Sequence, residues 1–420
     1  MKKYKIIAFL LPVLWLSNCK LAILDDPNGI TQDKVALDPN GPLYLVAGAT
    51  KSAFEGHNQM CWAAGLIGNE EISSIAANIS QTPVLIESQN KVPADLGQNT
   101  TQASLVYTAL ALTSSAKKTI ETNSFNAAAK ALFLGNINLI EGISYGDWAK
   151  FYETGYEFGV GKSMTSEQTR DLAIAKLQEA IKQFTAYNGG DLGGANATGL
   201  YNNTTLAVKL CNSLIGMLYF DTGAKAKASE FLLKGYVKAD IGTELGYKNS
   251  NALTSSSDAI FSAVVSGAAF QFNQYSTTFK SDRIAADTFR RFPSNWFVNQ
   301  ASQTDNQSKL NYFYPAAPGT GTIPATGRIA YYPIITASEV ALMLADVGVT
   351  PSVTTAQKQQ TISDVLTSWK IPAVTVTLLL ADPTVTLERV AKYEYAGRGR
   401  RWSAVAKYAK WPLANEFSFR

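Results

Sequence analysis

Apolar and polar positions alternate most regularly between residues 100 and 239, where apolar residues recur every three to four positions and predict helices. Two Ala- and Leu-rich segments, 101–122 and 124–144, are expected to pair across a very short turn. Thr165-Ser166-Glu167-Gln168 is a capping box that predicts the start of another helix. The positions expected to face the core in that helix and in the next are Leu172, Ala175, Ala180, Ile181, Phe184, Leu206, Leu210, Leu214 and Leu218.

Two signals mark expected helix ends: Gly56 is expected to lie just past the first helix, and Asp221-Thr222-Gly223 to stop the Leu-rich one. Further helices are expected over 42–54, 59–67, 224–239, 336–347, 354–369 and 386–410, the last capped by Thr386. The short-turn pairs resemble tetratricopeptide repeats, although no period of about 34 residues is present. A plain helix-bundle core explains the same apolar stripes.

Two stretches lose this periodicity and are expected to be rich in loops, namely residues 60–98 and 241–332. The second carries aromatic and arginine side chains suited to a ligand site: Arg290, Arg291, Trp296, Phe297, Tyr312 and Tyr314. Aromatic rings stack on sugar faces at low entropic cost, while polar and guanidinium groups hydrogen-bond hydroxyls. Packing of these rings beneath long loops is the alternative interpretation.

The N-terminal segment reads as an export signal, because three lysines precede an apolar run that is shorter than the roughly 20 residues of a membrane span. Leu16-Ser17-Asn18-Cys19 resembles a bacterial lipobox, with Asn18 where Gly, Ala or Ser is usual. Residues 1–18 are thus expected to be a lipoprotein signal peptide and Cys19 the lipidated first residue of the mature chain. An ordinary secretory signal is the alternative. Several acyl chains on one cysteine give stable membrane anchoring.

Charge argues against nucleic acid as a partner. The 420-residue chain has a net charge of +4, and without residues 1–18 it holds 34 basic and 33 acidic residues. Nucleic-acid affinity depends on many phosphate contacts, which a near-neutral chain does not supply. Cys61 and Cys211 lie in apolar segments and are expected to be buried free thiols rather than a disulfide.

No catalytic, metal or cofactor constellation stands out. The single histidine, His57, is expected in an exposed turn, with only Glu55 nearby as another ligand type. A glycosidase needs two carboxyl groups about 5–10 Å apart. The visible pairs, Asp25-Asp26 and Glu70-Glu71, are sequence neighbours whose side chains diverge. The sequence therefore predicts neither an enzyme nor a bound cofactor or metal.

Five motifs, taken in order, resemble the SusD/RagB family of nutrient-uptake outer-membrane lipoproteins. They are ISYGDW (143–148), DAIFS (258–262), YPIITASEVALMLAD (332–346), ERVAKYEYAGRGRRW (388–402) and WPLANE (411–416). The lipobox and Leu24-Asp25-Asp26-Pro27 fit the family's start, so the resemblance spans nearly the whole chain. Two departures are Thr336, where many members carry arginine, and a shorter loop-rich part.

The resemblance implies a mainly α fold of tetratricopeptide-like helix pairs in a right-handed superhelix, with a loop-rich ligand-binding part and a few short strands. Residues 19–420 would form a single domain, with helical repeats at 100–240 and 333–410. It implies an outer-membrane lipoprotein facing the cell exterior that passes an oligosaccharide or peptide to a SusC-like TonB-dependent transporter. It also adds Trp62 to the candidate ligand residues, because the family's site uses the loop after the first helices.

A second class of protein explains the anchor and the helices equally well. A tetratricopeptide lipoprotein that scaffolds outer-membrane protein assembly would bind only protein. It leaves the aromatic loop region and the C-terminal motifs unexplained.

Overall fold

The structure is a computed structural model that describes residues 38, 40–67, 71–73, 97–152, 154–195, 199–249, 272–275, 297–299, 308–310, 330–347, 353–368, 371, 373–383 and 385–395. Six helices come first: α1 Gly41–Ile67, α2 Gly97–Thr122, α3 Ala127–Phe151, α4 Ser166–Tyr187, α5 Thr204–Asp221 and α6 Lys225–Leu232. Four follow later in the chain: α7 Ala337–Val347, α8 Thr355–Ser368, α9 Ala373–Ala381 and α10 Leu387–Glu394.

Strands in the described ranges form four two-stranded antiparallel ribbons, β1–β5, β2–β3, β4–β8 and β6–β7. The strands are β1 Glu71–Ser73, β2 Thr154–Glu157, β3 Lys162–Thr165, β4 Gly246–Asn249, β5 Phe272–Tyr275, β6 Phe297–Asn299, β7 Ser308–Leu310 and β8 Ala330–Pro333. The fold is therefore mainly α, built from helix pairs with a few short strands, as the sequence predicted.

Consecutive helices pack in pairs, α1 on α2, α3 on α4 and α5 on α6, and one apolar core runs through all of them. The α3–α4 contact depends on glycine. A Cβ added at Gly142 would lie 2.5 Å from Leu177 Cγ, and one at Gly135 would lie 2.9 Å from the Phe184 ring. These glycines let the two helices approach more closely than alanine would allow.

Side-chain caps begin the repeat helices where short polar residues precede them. The Thr165 hydroxyl accepts a hydrogen bond from Gln168 N–H, and the Gln168 side chain accepts one from Thr165 N–H, so the predicted capping box is confirmed. At α3 and α5 the cap is a single side-chain contact, in which Asn126 accepts from Ala129 N–H and Asn203 accepts from Leu206 N–H. Thr386 accepts from Arg389 N–H at the start of α10, as expected.

The buried face of α4 differs in part from the prediction. Ala180 and Phe184 are buried, but Leu172 and Ile181 are half-buried and Ala175 is exposed. The helix is rotated so that Ala173, Ile174 and Leu177 take the inner positions. The predicted stripe on α5 holds better, since Leu210, Leu214 and Leu218 are buried and Leu206 is half-buried.

Several predicted helix ends are wrong because a glycine packs inside a helix. The 42–54 and 59–67 segments form one helix, α1. Gly56 is buried inside it, and a Cβ added at Gly56 would lie 3.4 Å from Leu105 Cβ. The segment predicted over 124–144 forms α3, which continues past 144 through the ISYGDW motif to Phe151. Gly223, by contrast, lies at φ +74° directly after α5, as expected. Helix α6 stops at Leu232, short of 239, and a 3₁₀ turn follows at Lys238–Asp240.

Candidate ligand-binding region

Strand pairing brings the two loop-rich stretches together. Strand β1, from the first stretch, pairs with β5, from the second, with Ile72 opposite Gln274. Strand β5 in turn lies beside β7, which pairs with β6. Strand β1, which follows α1, and the β6–β7 ribbon thus both lie against β5.

The predicted ligand residues fall mostly outside the described part of the chain. Trp62 lies in the last turns of α1, and Phe297 is the first residue of β6, opposite Leu310. For both, the structure describes the element but not the surroundings of the side chain. Arg290, Arg291, Trp296, Tyr312 and Tyr314 lie outside the described residues. Their role in binding stays a prediction, as does that of Cys19.

A polar contact ties the loop-rich part to the helical core. The Asn136 side chain on α3 accepts from Tyr201 N–H at 2.9 Å and donates to the Tyr201 carbonyl at 3.3 Å. The Tyr201 hydroxyl then donates to the carbonyl of Gly246, the first residue of β4, at 3.0 Å. Because Asn136 is buried, these hydrogen bonds satisfy groups that would otherwise be costly to bury. They fix the start of the β4–β8 ribbon against α3.

Three glutamates meet where the loop-rich part returns to helix at α7. Glu339 and Thr336 form a capping box, with the Thr336 N–H donating to Glu339 Oε2 at 2.7 Å. The Thr336 hydroxyl donates to Glu394 of α10 at 3.1 Å, and Ala337 N–H donates to Glu244. All three carboxylates are buried around the positive end of the helix dipole. The cluster joins three chain segments at the point where the loop-rich part returns to helix.

His57 does not lie in an exposed turn, so that prediction is wrong. It is buried in α1, with 3% of its surface exposed, and its Nδ1 lies 2.9 Å from both carboxylate oxygens of Asp147 on α3. Its Nε2 lies 3.4 Å from Cys61 Sγ. Burial alone would lower the pKa of His57, but Asp147 and Cys61 together raise it to about 10. The ring is therefore a buried imidazolium that donates from both nitrogens.

Cys61, His57 and Asp147 occur in the order of a nucleophilic triad, yet the arrangement has no access for a substrate. Cys61 is 0% exposed and lies in the interior between the helices. The cluster instead holds the C-terminal half of α1 against α3, and Trp62 directly follows Cys61 in the sequence. A sequence signal existed, since His57 and Cys61 are four residues apart and share a helix face. The prediction of a helix end at Gly56 placed His57 in a turn and Cys61 in a separate helix, so the shared face was missed.

Ion pairs connect the helices elsewhere. Glu141 on α3 receives Lys117 from α2 at 2.7 Å and Lys176 from α4 at 2.8 Å. Burial lowers the pKa of Lys117, whereas at Lys176 the attraction of Glu141 outweighs burial and raises the pKa. Cys61 and Cys211 are buried free thiols, as predicted. Within the described ranges, no group of three or more His, Cys, Asp or Glu side chains is arranged to hold a metal ion, and no helix combines the length and apolarity to cross a bilayer.

Comparison with known proteins gives matches among solved structures. No family model and no curated protein sequence matches the chain. A crystal structure with a xylogluco-oligosaccharide aligns with TM-score 0.60 and 13% identity, covering 90% of this chain and 84% of that one. A SusD superfamily protein from Bacteroides thetaiotaomicron aligns with TM-score 0.58 and 15% identity, covering 89% and 88%. Surface glycan-binding protein A from the same organism, in complex with laminarihexaose, aligns with TM-score 0.56 and 12% identity, covering 88% and 90%.

These alignments show a likeness of fold over most of each chain. The fold of this chain is similar to that of solved SusD superfamily structures, in agreement with the resemblance found in the sequence.

Proposed function

We propose that this protein is a cell-surface lipoprotein that binds an oligosaccharide and delivers it to a SusC-like TonB-dependent outer-membrane transporter. The observation that carries the proposal is the shared fold over nearly the full length of both chains with two structures that hold an oligosaccharide. A peptide is the second ligand class to be tested, because the family resemblance found in the sequence implies an oligosaccharide or a peptide.

Ligand binding is assigned to the junction of the two loop-rich stretches. Strands β1, β5, β6 and β7 come together there, and the sequence adjoining them supplies aromatic rings of the kind that stack on sugars. We assign stacking to Trp296, Phe297, Tyr312 and Tyr314, and hydrogen bonding to Arg290 and Arg291. Trp62 follows the buried His57–Asp147 contact and is assigned to the same region from α1.

No catalytic step is part of the proposal. The one described cluster with the composition of a nucleophilic site, Cys61-His57-Asp147, is buried and satisfied by its own hydrogen bonds. The protein would hold its ligand and release it unchanged.

Contact with the transporter is assigned to the helical half, and attachment to the membrane is assigned to the acyl chains on Cys19. Paired helices present extended faces suited to protein contacts. Exposed charges on three of these helices, Lys118, Lys182 and Lys227, offer positions at which a contact can be disrupted without touching the core.

The test uses residues 20–420 as a soluble protein on combined glycan and peptide arrays, followed by calorimetry with laminarihexaose and a xylogluco-oligosaccharide. Saturable binding of an oligosaccharide supports the proposal. Binding to neither array would overturn it and favour the outer-membrane assembly scaffold.

The transporter arm is tested in cells with the lipidated chain. Lys118→Glu, Lys182→Glu and Lys227→Glu together should reduce co-purification with a TonB-dependent barrel while leaving oligosaccharide affinity unchanged. Loss of affinity with intact co-purification would mean that the two halves have been assigned in reverse.

A further inference from the structure

A group of aromatic side chains reaches the surface of the helical half. Tyr107 on α2 is 36% exposed and Tyr156 on β2 is 45% exposed. The Tyr107 ring lies edge-on to the Trp148 ring, with centroids 5.0 Å apart, and 6.3 Å from the Phe158 ring. Tyr107 therefore packs on the buried Trp148 ring and is partly open to solvent.

The β2–β3 hairpin presents Tyr156 among hydroxyl groups. Alternate residues of the hairpin face α4, where Gly155 and Met164 are buried and a Cβ at Gly155 would lie 2.6 Å from the Thr169 hydroxyl. The other face carries Tyr156 opposite Ser163, and Thr154 opposite Thr165, all exposed. An exposed ring bordered by hydroxyls matches the alternating apolar and polar faces of a sugar ring.

The rings are held in place by groups behind them. Trp148 is buried and also contacts the Tyr152 ring, whose hydroxyl donates to Gln102 at 3.2 Å. Phe158 N–H donates to the Tyr145 hydroxyl at 3.1 Å, which fixes the hairpin turn against α3. A surface that is already rigid loses little conformational entropy when a ligand binds.

The described charged residues of the β2–β3 hairpin, Glu157 and Lys162, lie opposite one another in the strand register and have opposite signs. Burial, together with the nearby Tyr156 hydroxyl, raises the pKa of Tyr107, so its hydroxyl stays neutral and able to donate. Both features favour an uncharged ligand over an anionic or cationic one.

We propose that Tyr107 and Tyr156, bordered by Ser163 and Thr154, form an auxiliary stacking surface for a neutral oligosaccharide, separate from the loop residues. This proposal rests on the proposed function, because it assumes that the bound nutrient is a glycan. Ring stacking supplies the affinity, and the surrounding hydroxyls orient the sugar.

The experiment measures binding of laminarihexaose, a xylogluco-oligosaccharide and the strongest neutral oligosaccharide from the array to residues 20–420. Tyr107→Ala and Tyr156→Ala are made singly and together, and Tyr44→Ala serves as the control because Tyr44 is an exposed tyrosine on α1 outside the cluster. The double variant should bind the longest oligosaccharide about tenfold more weakly. Tyr44→Ala should bind like the unchanged protein.

Folding is monitored by melting temperature, and Tyr107→Phe provides a second variant that keeps the ring and its packing. It should retain most of the affinity that Tyr107→Ala loses. Unchanged binding by the folded double variant, or an equal loss in Tyr44→Ala, would overturn the auxiliary surface and leave the proposed function standing. Absence of binding to any neutral glycan by the unchanged protein would overturn both.

Discussion

His57 Nδ1 lies 2.9 Å from the carboxylate of Asp147, although the two residues are 90 positions apart in the sequence. The contact joins α1 to α3 inside the core and places a charged pair where water does not reach. A buried pair of this kind contributes little net stability by itself, but removal of one partner leaves an uncompensated charge.

The first prediction concerns that asymmetry. His57→Ala should lower the free energy of unfolding by about 3–5 kcal/mol, because Asp147 remains buried without its partner. The double variant His57→Gln/Asp147→Asn should cost less, since both charges are gone. Urea unfolding measures all three proteins. As a control, Glu179→Ala breaks the exposed Lys182–Glu179 pair and should change stability by about 1 kcal/mol or less.

The second prediction is the pH dependence of the same pair. The pKa of His57 is raised from 6.5 to about 10 in the folded protein, so the folded protein binds this proton more tightly than the unfolded chain does. The resulting stabilisation is fully present below pH 6.5 and is lost as pH rises toward 10. The free energy of unfolding of the unchanged protein should therefore fall, relative to that of His57→Gln/Asp147→Asn, as the pH rises across this window. A difference between the two proteins that stays constant with pH would contradict the buried imidazolium.

The third prediction tests the close approach of α3 and α4. Gly142→Ala should destabilise the protein by about 1–3 kcal/mol, because the new Cβ would lie 2.5 Å from Leu177 Cγ. Gly146→Ala is the matched control on the same helix, since its Cβ would lie at an ordinary 3.6 Å from Leu218. That variant should be neutral or gain up to about 1 kcal/mol from helix propensity. Equal effects at both positions would argue against glycine-dependent packing.

The fourth prediction concerns membrane attachment. Cys19→Ala should yield a soluble or signal-retaining protein, because the acyl chains on Cys19 are proposed to supply the membrane affinity. Cell fractionation with detection of the chain is the measurement. Cys211→Ala, which removes a buried thiol, should leave attachment unchanged. Normal recovery of Cys19→Ala in the membrane fraction would refute lipidation at this residue.

The fifth prediction concerns the loop site. Trp296→Ala should weaken oligosaccharide binding by about 1–3 kcal/mol, roughly tenfold or more, with little change in melting temperature. Phe184→Ala, which removes a buried core ring, should instead cost about 3–5 kcal/mol of stability and leave the affinity of the folded fraction unchanged. If Trp296→Ala behaves like Phe184→Ala, the tryptophan is a core residue and not a ligand contact.

The sequence predicted features that depend on neighbouring residues. The Thr165 capping box, the stop at Gly223 and the cap at Thr386 each follow from groups within four residues of the helix end. Such contacts are written in the local sequence, so their outcome does not depend on where distant segments pack.

Features that depend on distant partners were missed. Gly56 serves as a close-packing residue only because Leu105 and Val106 lie against it, and His57 is buried only because Asp147 meets it from α3. The β2–β3 hairpin was also missed, although Gly159 and Gly161, both at positive φ, mark its turn. For the candidate site, the sequence identified ring and arginine chemistry, and the described residues place only the backbones of Trp62 and Phe297 near the junction.

The continuity of α1 has a mechanical consequence. A helix of 27 residues is about 40 Å long and resists bending along its whole length. Its first residue, Gly41, is the end nearest in sequence to Cys19, and its last, Ile67, leads toward β1. Because Leu43, Phe54 and Met60 are all buried in the core, α1 is held along most of this length, and its two ends belong to one packed element.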